Sequence, residues 1–321
     1  MTHTFPRGPA EVPAVVAEIV PEADGIKSLR LEPASGDKMP AWEPGAHIDL
    51  VLAPGLERQY SLCGDPTDLR SWRIGVLREP ESRGGSAHVH EKLSVGDQIL
   101  CRGPRNNFAL TEAERYLFIA GGIGITPILP MIRQCEAAGK PWNLFYGGRE
   151  EASMAFRAEL TPYGDRVTYW PQNVHGHLDL PTILGTPQAG TAVYCCGPGG
   201  LLDAVEQRCE AWPDGALHLE RFRPKDGALE GENTEFEVVL DYSGITLTVA
   251  PDQSIVDAVE AAGVHIPTSC REGTCGTCET VVLEGEPDHR DSYLTPQEKE
   301  SGEVIMPCCS RSCSKTLILD L

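Results

Sequence analysis

Cys270-Arg271-Glu272-Gly273-Thr274-Cys275-Gly276-Thr277-Cys278 decides how the last third of the chain folds, and Cys308 follows it after 29 residues. The spacing C-x4-C-x2-C…C is that of a plant-type [2Fe–2S] centre. Loop geometry supplies the reason. A short loop must turn several thiolates towards two irons while its amides face the sulfides, and Gly273, Thr274, Gly276 and Thr277 are small enough to allow that wrap. A zinc site would more often show repeated C-x2-C pairs or histidines. The candidate ligands are therefore Cys270, Cys275, Cys278 and Cys308. The long interval favours Cys308 over its neighbours Cys309 and Cys313, and Cys309 then points the other way along an extended segment. Such a centre moves one electron at a time.

The same third carries most of the charge. From residue 229 to 321 there are 18 acidic and 5 Lys/Arg side chains, in a chain whose net charge is −20. A solvated acidic surface is the default reading of such a bias. A face that steers a basic partner is the sharper one. Nucleic acid is excluded as a partner, because its phosphates would be repelled. With 321 residues there is room for two or three domains. No stretch is apolar over the length of a bilayer span. The N-terminus lacks a basic-then-apolar signal pattern, so a cytoplasmic protein is expected, and in that reducing compartment the 12 cysteines should not form a disulfide framework.

Working back from the cysteine loop, EFEVVLDYSGITLTVA reads as a hairpin turning at Tyr-Ser-Gly, SIVDAVEAAG as a helix capped by Ser254, and TLILDL as a closing strand. PKDGALEGENTE is polar and aperiodic, a linker. From about residue 108 to 224 strands alternate with helices: YLFIAGG, PILPMIRQCEAAG, WNLFYGG, AVYCCGP and GGLLDAVEQRCEAW. That alternation predicts an α/β parallel sheet with crossover helices. Two strand ends are rich in glycine. Gly121-Gly122-Ile123-Gly124-Ile125-Thr126-Pro127 opens a helix, where free N–H groups and a positive dipole end suit a diphosphate. Cys196-Gly197-Pro198 opens another. Either turn alone could be tight packing, and Cys196 a plain buried thiol, but two such ends on one parallel sheet make a nucleotide crevice. In Gly147-Gly148-Arg149-Glu150-Glu151 the acids suit a ribose 2′-OH and hence NADH, whereas Arg149 alone would suit the extra phosphate of NADPH.

The first 107 residues hold short β-like runs between Gly and Pro turns: VPAVVAEIV, IKSLRLEP, HIDLVLAP, RQYSLCG, WRIGVLRE and QILCRGP. They predict a small antiparallel β-barrel. Within it Arg58-Gln59-Tyr60-Ser61-Leu62 offers a guanidinium fork, a flat aromatic face and a small hydroxyl. Ser82-Arg83-Gly84-Gly85-Ser86 offers a second guanidinium beside free amides, a nest for an anion. Together, beside a nucleotide domain and an iron–sulfur domain, they point to a flavin phosphate site.

In this order of parts the chain resembles the phthalate dioxygenase reductase family over essentially its whole length. The motifs that carry the resemblance are Arg58-x-Tyr60-Ser61-Leu62, Arg83-Gly84-Gly85-Ser86, Gly121 to Pro127, Cys196-Gly197-Pro198, Glu220-Arg221-Phe222 and the four cysteines. The resemblance implies an FMN-binding barrel over 1–107, an NAD-binding α/β domain over 108–224, a linker over 225–234 and a plant-type ferredoxin (β-grasp) domain over 235–321. It implies FMN rather than FAD, held by Arg58, Tyr60, Ser61, Leu62, Arg83, Gly84, Gly85 and Ser86. Gly121, Gly122, Gly124, Thr126, Pro127, Arg149, Gly197 and Pro198 would then serve NADH rather than NADPH. Cys196 would lie near the nicotinamide and Phe222 near the flavin ring. No general acid or base is required, and the histidines, His47, His88 and His90 among them, read as structural. The function implied is an NAD(P)H-dependent oxidoreductase, the monomeric reductase component of an oxygenase system. It would pass electrons through the [2Fe–2S] cluster to a terminal oxygenase, Rieske-type or a cytochrome P450, by transient electrostatic docking. Two other readings differ in what they need. A bare electron carrier would not use the intact glycine turns, and an enzyme reducing its own substrate at the flavin would not need a one-electron exit.

Overall fold

A computed structural model describes residues 10–82 and 84–321, and the chain divides into two compact units, Met1–Glu220 and Arg221–Leu321. The first unit contains two sheets. Strands β1 (Glu11–Ala23), β2 (Ile26–Pro33), β3 (Ala46–Ala53), β4 (Leu56–Ser61), β5 (Trp72–Leu77) and β6 (Gln98–Asn106) form an antiparallel sheet in the order β4-β3-β6-β1-β2-β5. Its two edges meet where Leu62 bridges Ile74 and the Cys63 amide donates to the Arg73 carbonyl at 2.8 Å. Closure removes the open edges that a curled sheet would otherwise expose. Alternate residues, among them Leu29, Leu31, Ile48, Leu50, Leu62 and Ile74, fill the interior. The anion nest expected at Ser82–Ser86 is partly helical: a helix begins at Gly85 and runs to Glu91, and the Ser82 hydroxyl caps its start by accepting from the Gly84 and Ala87 amides, both at 3.2 Å.

Strands β7 (Arg115–Gly121), β8 (Trp142–Gly148), β9 (Val167–Pro171), β10 (Thr191–Cys196) and β11 (Leu217–Glu220) form an all-parallel sheet ordered β11-β10-β7-β8-β9. Phe118 and Ala120 face the helix Ile125–Ala137, while Ile119 faces the helix Gly199–Arg208. Both faces are thus covered, as a parallel sheet requires. The chain builds outward from β7 to β9, then returns to the other side of β7. The order therefore reverses between β7 and β10, the two strands that end in the glycine turns. A ligand crevice belongs at that reversal.

In the second unit β12 (Phe236–Leu240), β13 (Ile245–Val249), β14 (Thr280–Glu284), β16 (Val304–Ile305) and β18 (Thr316–Leu319) give a sheet ordered β13-β12-β18-β14-β16, and β15 (Pro287–Asp288) pairs with β17 (Arg311–Ser312). β12 and β18 run parallel, and the helix Ile255–Ala261 packs Ile255, Val256 and Val259 onto Val238, Leu240, Leu317 and Leu319. Ser254 and Asp257 close a reciprocal cap at its start. Two buried arginines tie down the preceding segment. Arg290 donates to Asn233 Oδ1 at 2.6 Å and to the Glu232 carbonyl at 2.9 Å. Arg311 donates to the carbonyls of Thr234, Ala250 and Gln253 at 2.8–3.0 Å. The three-part architecture is the one the sequence predicts: an antiparallel barrel, a parallel α/β sheet and a small α+β sheet. Among the described residues, no helix is long and apolar enough to cross a membrane.

Candidate functional site

The two glycine turns are built against each other. A Cβ on Gly124 would stand 2.2 Å from the Cys196 carbonyl oxygen, and one on Gly121 would stand 2.6 Å from Pro198 Cδ. Gly197 lies equally close, with 3.0 Å between its virtual Cβ and Gly121 Cα. These three glycines serve packing between strands. Gly122 differs: its φ is +55° and nothing lies within 4 Å of a Cβ there, so the turn opens at that residue. Gly199 and Gly200, at the start of the other helix, also face open space. An open, glycine-lined helix entrance fits a diphosphate. Thr126 and Pro127 are buried, and the Thr126 hydroxyl donates to the Ile123 carbonyl at 2.9 Å, so they hold the turn rather than face its mouth.

Cys196 ends β10 directly beside Glu220, which ends β11. The Ser61 hydroxyl, from the end of β4, donates to Glu220 Oε2 at 3.5 Å, and the Cys196 thiol approaches the same oxygen at 3.9 Å. Burial pushes the Glu220 carboxyl up to about 8, against the smaller opposing effects of Ser61 and Cys196. At neutral pH it holds its proton. Burial likewise raises the Cys196 thiol well above its ordinary range, with Glu220 adding to the shift, so it is no thiolate nucleophile. The predicted flavin turn and the predicted nucleotide turn thus converge on one cluster of Ser61, Cys196 and the half-buried Glu220. Glu220 appears in the sequence only as part of a quoted motif. An acid closing the half-buried strand LHLE was the available signal that it is a site residue.

Around the flavin turn, Arg58 lies across the start of the helix Gly85–Glu91, where a Cβ on Gly85 would stand 2.4 Å from its Cγ. A guanidinium over a glycine-lined helix entrance is a fitting anion cradle. Tyr60 is largely buried, its hydroxyl pushed up to about 12 by desolvation. Leu62 is wholly buried in the barrel wall. Gly84 holds a φ of +93°. The Ser86 hydroxyl donates to Ser82 Oγ at 3.0 Å and accepts from the Glu79 amide at 3.1 Å. Arg83 lies outside the described residues. At the end of β8, Glu151 is paired with Arg157 at 2.6 Å, while Arg149 and Glu150 are exposed. Phe222 is in the second unit, and its ring is exposed.

In the cysteine loop, Arg271, Gly273 and Gly276 all have φ between 53° and 69°. A Cβ on Gly276 would stand 2.4 Å from the Tyr293 ring, and one on Gly273 would stand 2.4 Å from Cys309 Sγ. Cys309 therefore packs behind the loop. The amides of Glu272 and Thr274 donate to Cys270 Sγ at 3.3 and 3.4 Å. The neighbouring Cys275 and Cys308 thiols hold Cys270 below the usual thiol range, and Cys308 lowers Cys278. The four predicted ligands are thus brought near one another. Thiols with amides aimed at sulfur suit an iron–sulfur cluster. Arg271 braces the loop by donating to Asp257 and Glu260 of the helix Ile255–Ala261, both at 2.8 Å.

Known proteins share these features. Residues 238–313 match the family of 2Fe–2S iron–sulfur cluster binding domains, and residues 118–207 match the oxidoreductase NAD-binding domain. The chain is 44% identical over 302 residues to phenoxybenzoate dioxygenase subunit beta of Ectopseudomonas oleovorans, covering 93% of this chain and 94% of that protein. A solved phthalate dioxygenase reductase aligns with a TM-score of 0.72 and 36% identity, over 97% of this chain and 98% of that one. An intact type IV self-sufficient cytochrome P450 monooxygenase aligns with a TM-score of 0.88 and 41% identity, covering all of this chain but only 43% of the longer protein.

Proposed function

Because the chain belongs to the phthalate dioxygenase reductase family of NAD(P)H-dependent electron-transfer oxidoreductases, we propose that it is the reductase component of an oxygenase system. It would draw electrons from NADH and deliver them singly to a terminal oxygenase. The observation that carries this reading is the convergence of Ser61, Cys196 and Glu220, which joins the flavin turn to the nucleotide turns. We assign FMN to the barrel at 1–107, NADH to the domain at 108–224, a linker to 225–234 and the [2Fe–2S] cluster to 235–321. Bound there, the flavin supplies what side chains lack: it takes two electrons as a hydride from the reduced nicotinamide and gives them up one at a time.

The side chains hold and orient. Arg58 and the amides at Gly84 and Gly85 would grip the flavin phosphate, with Ser86 beside them, and Tyr60 would lie against the ring. Gly122 and the helix entrance at Gly199 and Gly200 would take the dinucleotide phosphates, with Gly121, Gly124 and Gly197 packing the two turns together. Protonated Glu220 keeps the meeting point neutral and can donate a hydrogen bond there. Cys270, Cys275, Cys278 and Cys308 would hold the two irons. Glu151 is already paired with Arg157, so Glu150 is the acid we assign to the ribose 2′-OH. Identification of the released flavin, with rates for NADH and NADPH side by side, tests these assignments. FAD, or a preference for NADPH, would overturn them.

The partner we propose is a Rieske-type oxygenase, met by transient docking on the acidic second unit. Relatives matched over 93% or more of their length are named as subunits or reductases of dioxygenase, monooxygenase and O-demethylase systems. A P450 partner is the second reading, favoured by the likeness to a self-sufficient P450 monooxygenase. Docking by exposed charge predicts partner reduction that slows with salt, and equal rates at low and high salt would contradict it. We place the protein in the cytoplasm as a monomer.

A further inference from the structure

Behind the Ser61–Cys196–Glu220 cluster, one carboxylate is shared by two arginines from different domains. Glu159 accepts from Arg73 of β5 at 2.7 Å (Oε1) and 2.9 Å (Oε2), and from Arg133 of the helix Ile125–Ala137 through Oε2. Both arginines also donate to the Cys63 carbonyl, each at 3.1 Å, and Arg133 reaches the Gly64 carbonyl as well. Cys63 stands two residues beyond Ser61. The guanidinium of Arg73 lies 5.1 Å from the centre of the Phe156 ring. Phe156 is buried and has φ 60°, ψ 18°, a left-handed conformation that bulky residues keep only where the surroundings demand it. Its ring presses on β5 at Gly75, where a Cβ would stand 3.0 Å from Phe156 Cζ and 2.8 Å from Thr126 Cγ2. Thr126 stands two residues beyond Gly124. The network therefore joins, from the rear, the strand that follows the flavin turn and the helix that follows the glycine turn.

We propose that Arg73, Arg133, Glu159 and Phe156 form a clamp that fixes the spacing between the two halves of the first unit, and so the distance across which flavin and nicotinamide meet. The proposal rests on the flavin and NADH assignments above. These are positioning residues. Three features argue for precision rather than general adhesion. Arg73 grips Glu159 through both fork nitrogens, and Arg133 spans that carboxylate and the Cys63 and Gly64 carbonyls, which fixes angle as well as distance. Gly75 removes the one side chain that would hold the halves apart. A strained Phe156 fills what remains. Removing the shared charge leaves two guanidinium groups facing each other without a counterion, so the halves should part.

The test is Glu159→Gln, which keeps the shape and removes the charge. Its first readout needs no cofactor: in the flavin-free chain, hydrogen exchange of the segments around Cys63 and Thr126 should quicken at least tenfold. Its second is anaerobic stopped-flow bleaching of the flavin band at saturating NADH, which should slow at least tenfold with flavin content unchanged and the apparent NADH Kd within threefold. Glu159→Asp should recover part of the rate. Should Glu159→Gln fail to fold, Gly75→Ala wedges the same contact and should give the same pattern. Unchanged exchange, or faster exchange with bleaching within twofold of wild type, would overturn the clamp and leave the functional reading intact. A wild-type chain that NADH does not bleach would overturn the functional reading, and the clamp's role with it.

Discussion

Replacing Gly124 by alanine should stop efficient use of NADH without stopping the chain from folding. The backbone at Gly124 is right-handed, φ −62° and ψ −4°, so alanine meets no dihedral strain there. The obstacle is steric. The new methyl would stand 2.2 Å from the Cys196 carbonyl oxygen, 2.4 Å from its carbon and 2.8 Å from the Gly197 amide nitrogen. All three are backbone atoms at the end of a buried parallel strand, so none can rotate away. Restoring ordinary contact takes a separation of about 1 Å between the two turns. Overpacking of this kind costs about 1–3 kcal/mol of stability. A misplacement of about 1 Å at a reacting centre costs on the order of 10²-fold in rate. The assay is anaerobic stopped-flow bleaching of the flavin at saturating NADH, with thermal unfolding alongside. The matched comparison is Gly122→Ala. There the φ of +55° costs about 1–2 kcal/mol, but no atom lies within 4 Å of the new methyl. That variant should weaken NADH binding and leave the limiting rate within severalfold. A folded Gly124→Ala chain that bleaches within threefold of wild type would refute the reasoning, because the two turns would then not set the geometry of transfer.

Three further outcomes follow from the site. With its carboxyl pushed up to about 8 by burial, Glu220 keeps its proton where the unfolded chain has lost it. Stability should therefore fall as pH rises from the ordinary carboxyl range through about 8, and Glu220→Gln should remove both that fall and any inflection near 8 in the bleaching rate. Cys275→Ser should abolish iron incorporation, measured by metal analysis and the visible spectrum, while NADH still bleaches the flavin. Arg311→Ala would strip donors from three carbonyls, those of Thr234, Ala250 and Gln253, and should cost about 3 kcal/mol in chemical denaturation.

The elements that formed from local pattern were legible in the sequence. The six barrel strands stood out as short β-rich runs between Gly and Pro turns, and Ser254 announced its helix, because an Asp three residues on completes the cap. The elements that went unseen lack such signals. β11 is four half-buried residues, LHLE, and β16 and β17 are two residues each, all held by neighbours rather than by propensity. The four cysteines were legible because ligand spacing is a property of one loop. The glycine turns were legible as turns, but which glycines pack and which open was not, since that depends on Cys196 and Pro198 arriving from a distant strand. Glu220 was hidden for the same reason. Its desolvation arises only when Ser61 of the barrel and Cys196 of the parallel sheet close around it. The clamp at Glu159 joins residues 63, 73, 133 and 159, and no sequence window contains them together.

The central claim is that electrons enter this chain in pairs and leave it singly. An anaerobic titration with NADH, followed by visible absorbance, tests it most directly. Flavin and iron–sulfur bands should both bleach, with the endpoint at about 1.5 equivalents of NADH, because the flavin holds two electrons and the cluster one. An endpoint at one equivalent, with the iron–sulfur bands unchanged, would contradict it: the pair would have entered and found no one-electron exit.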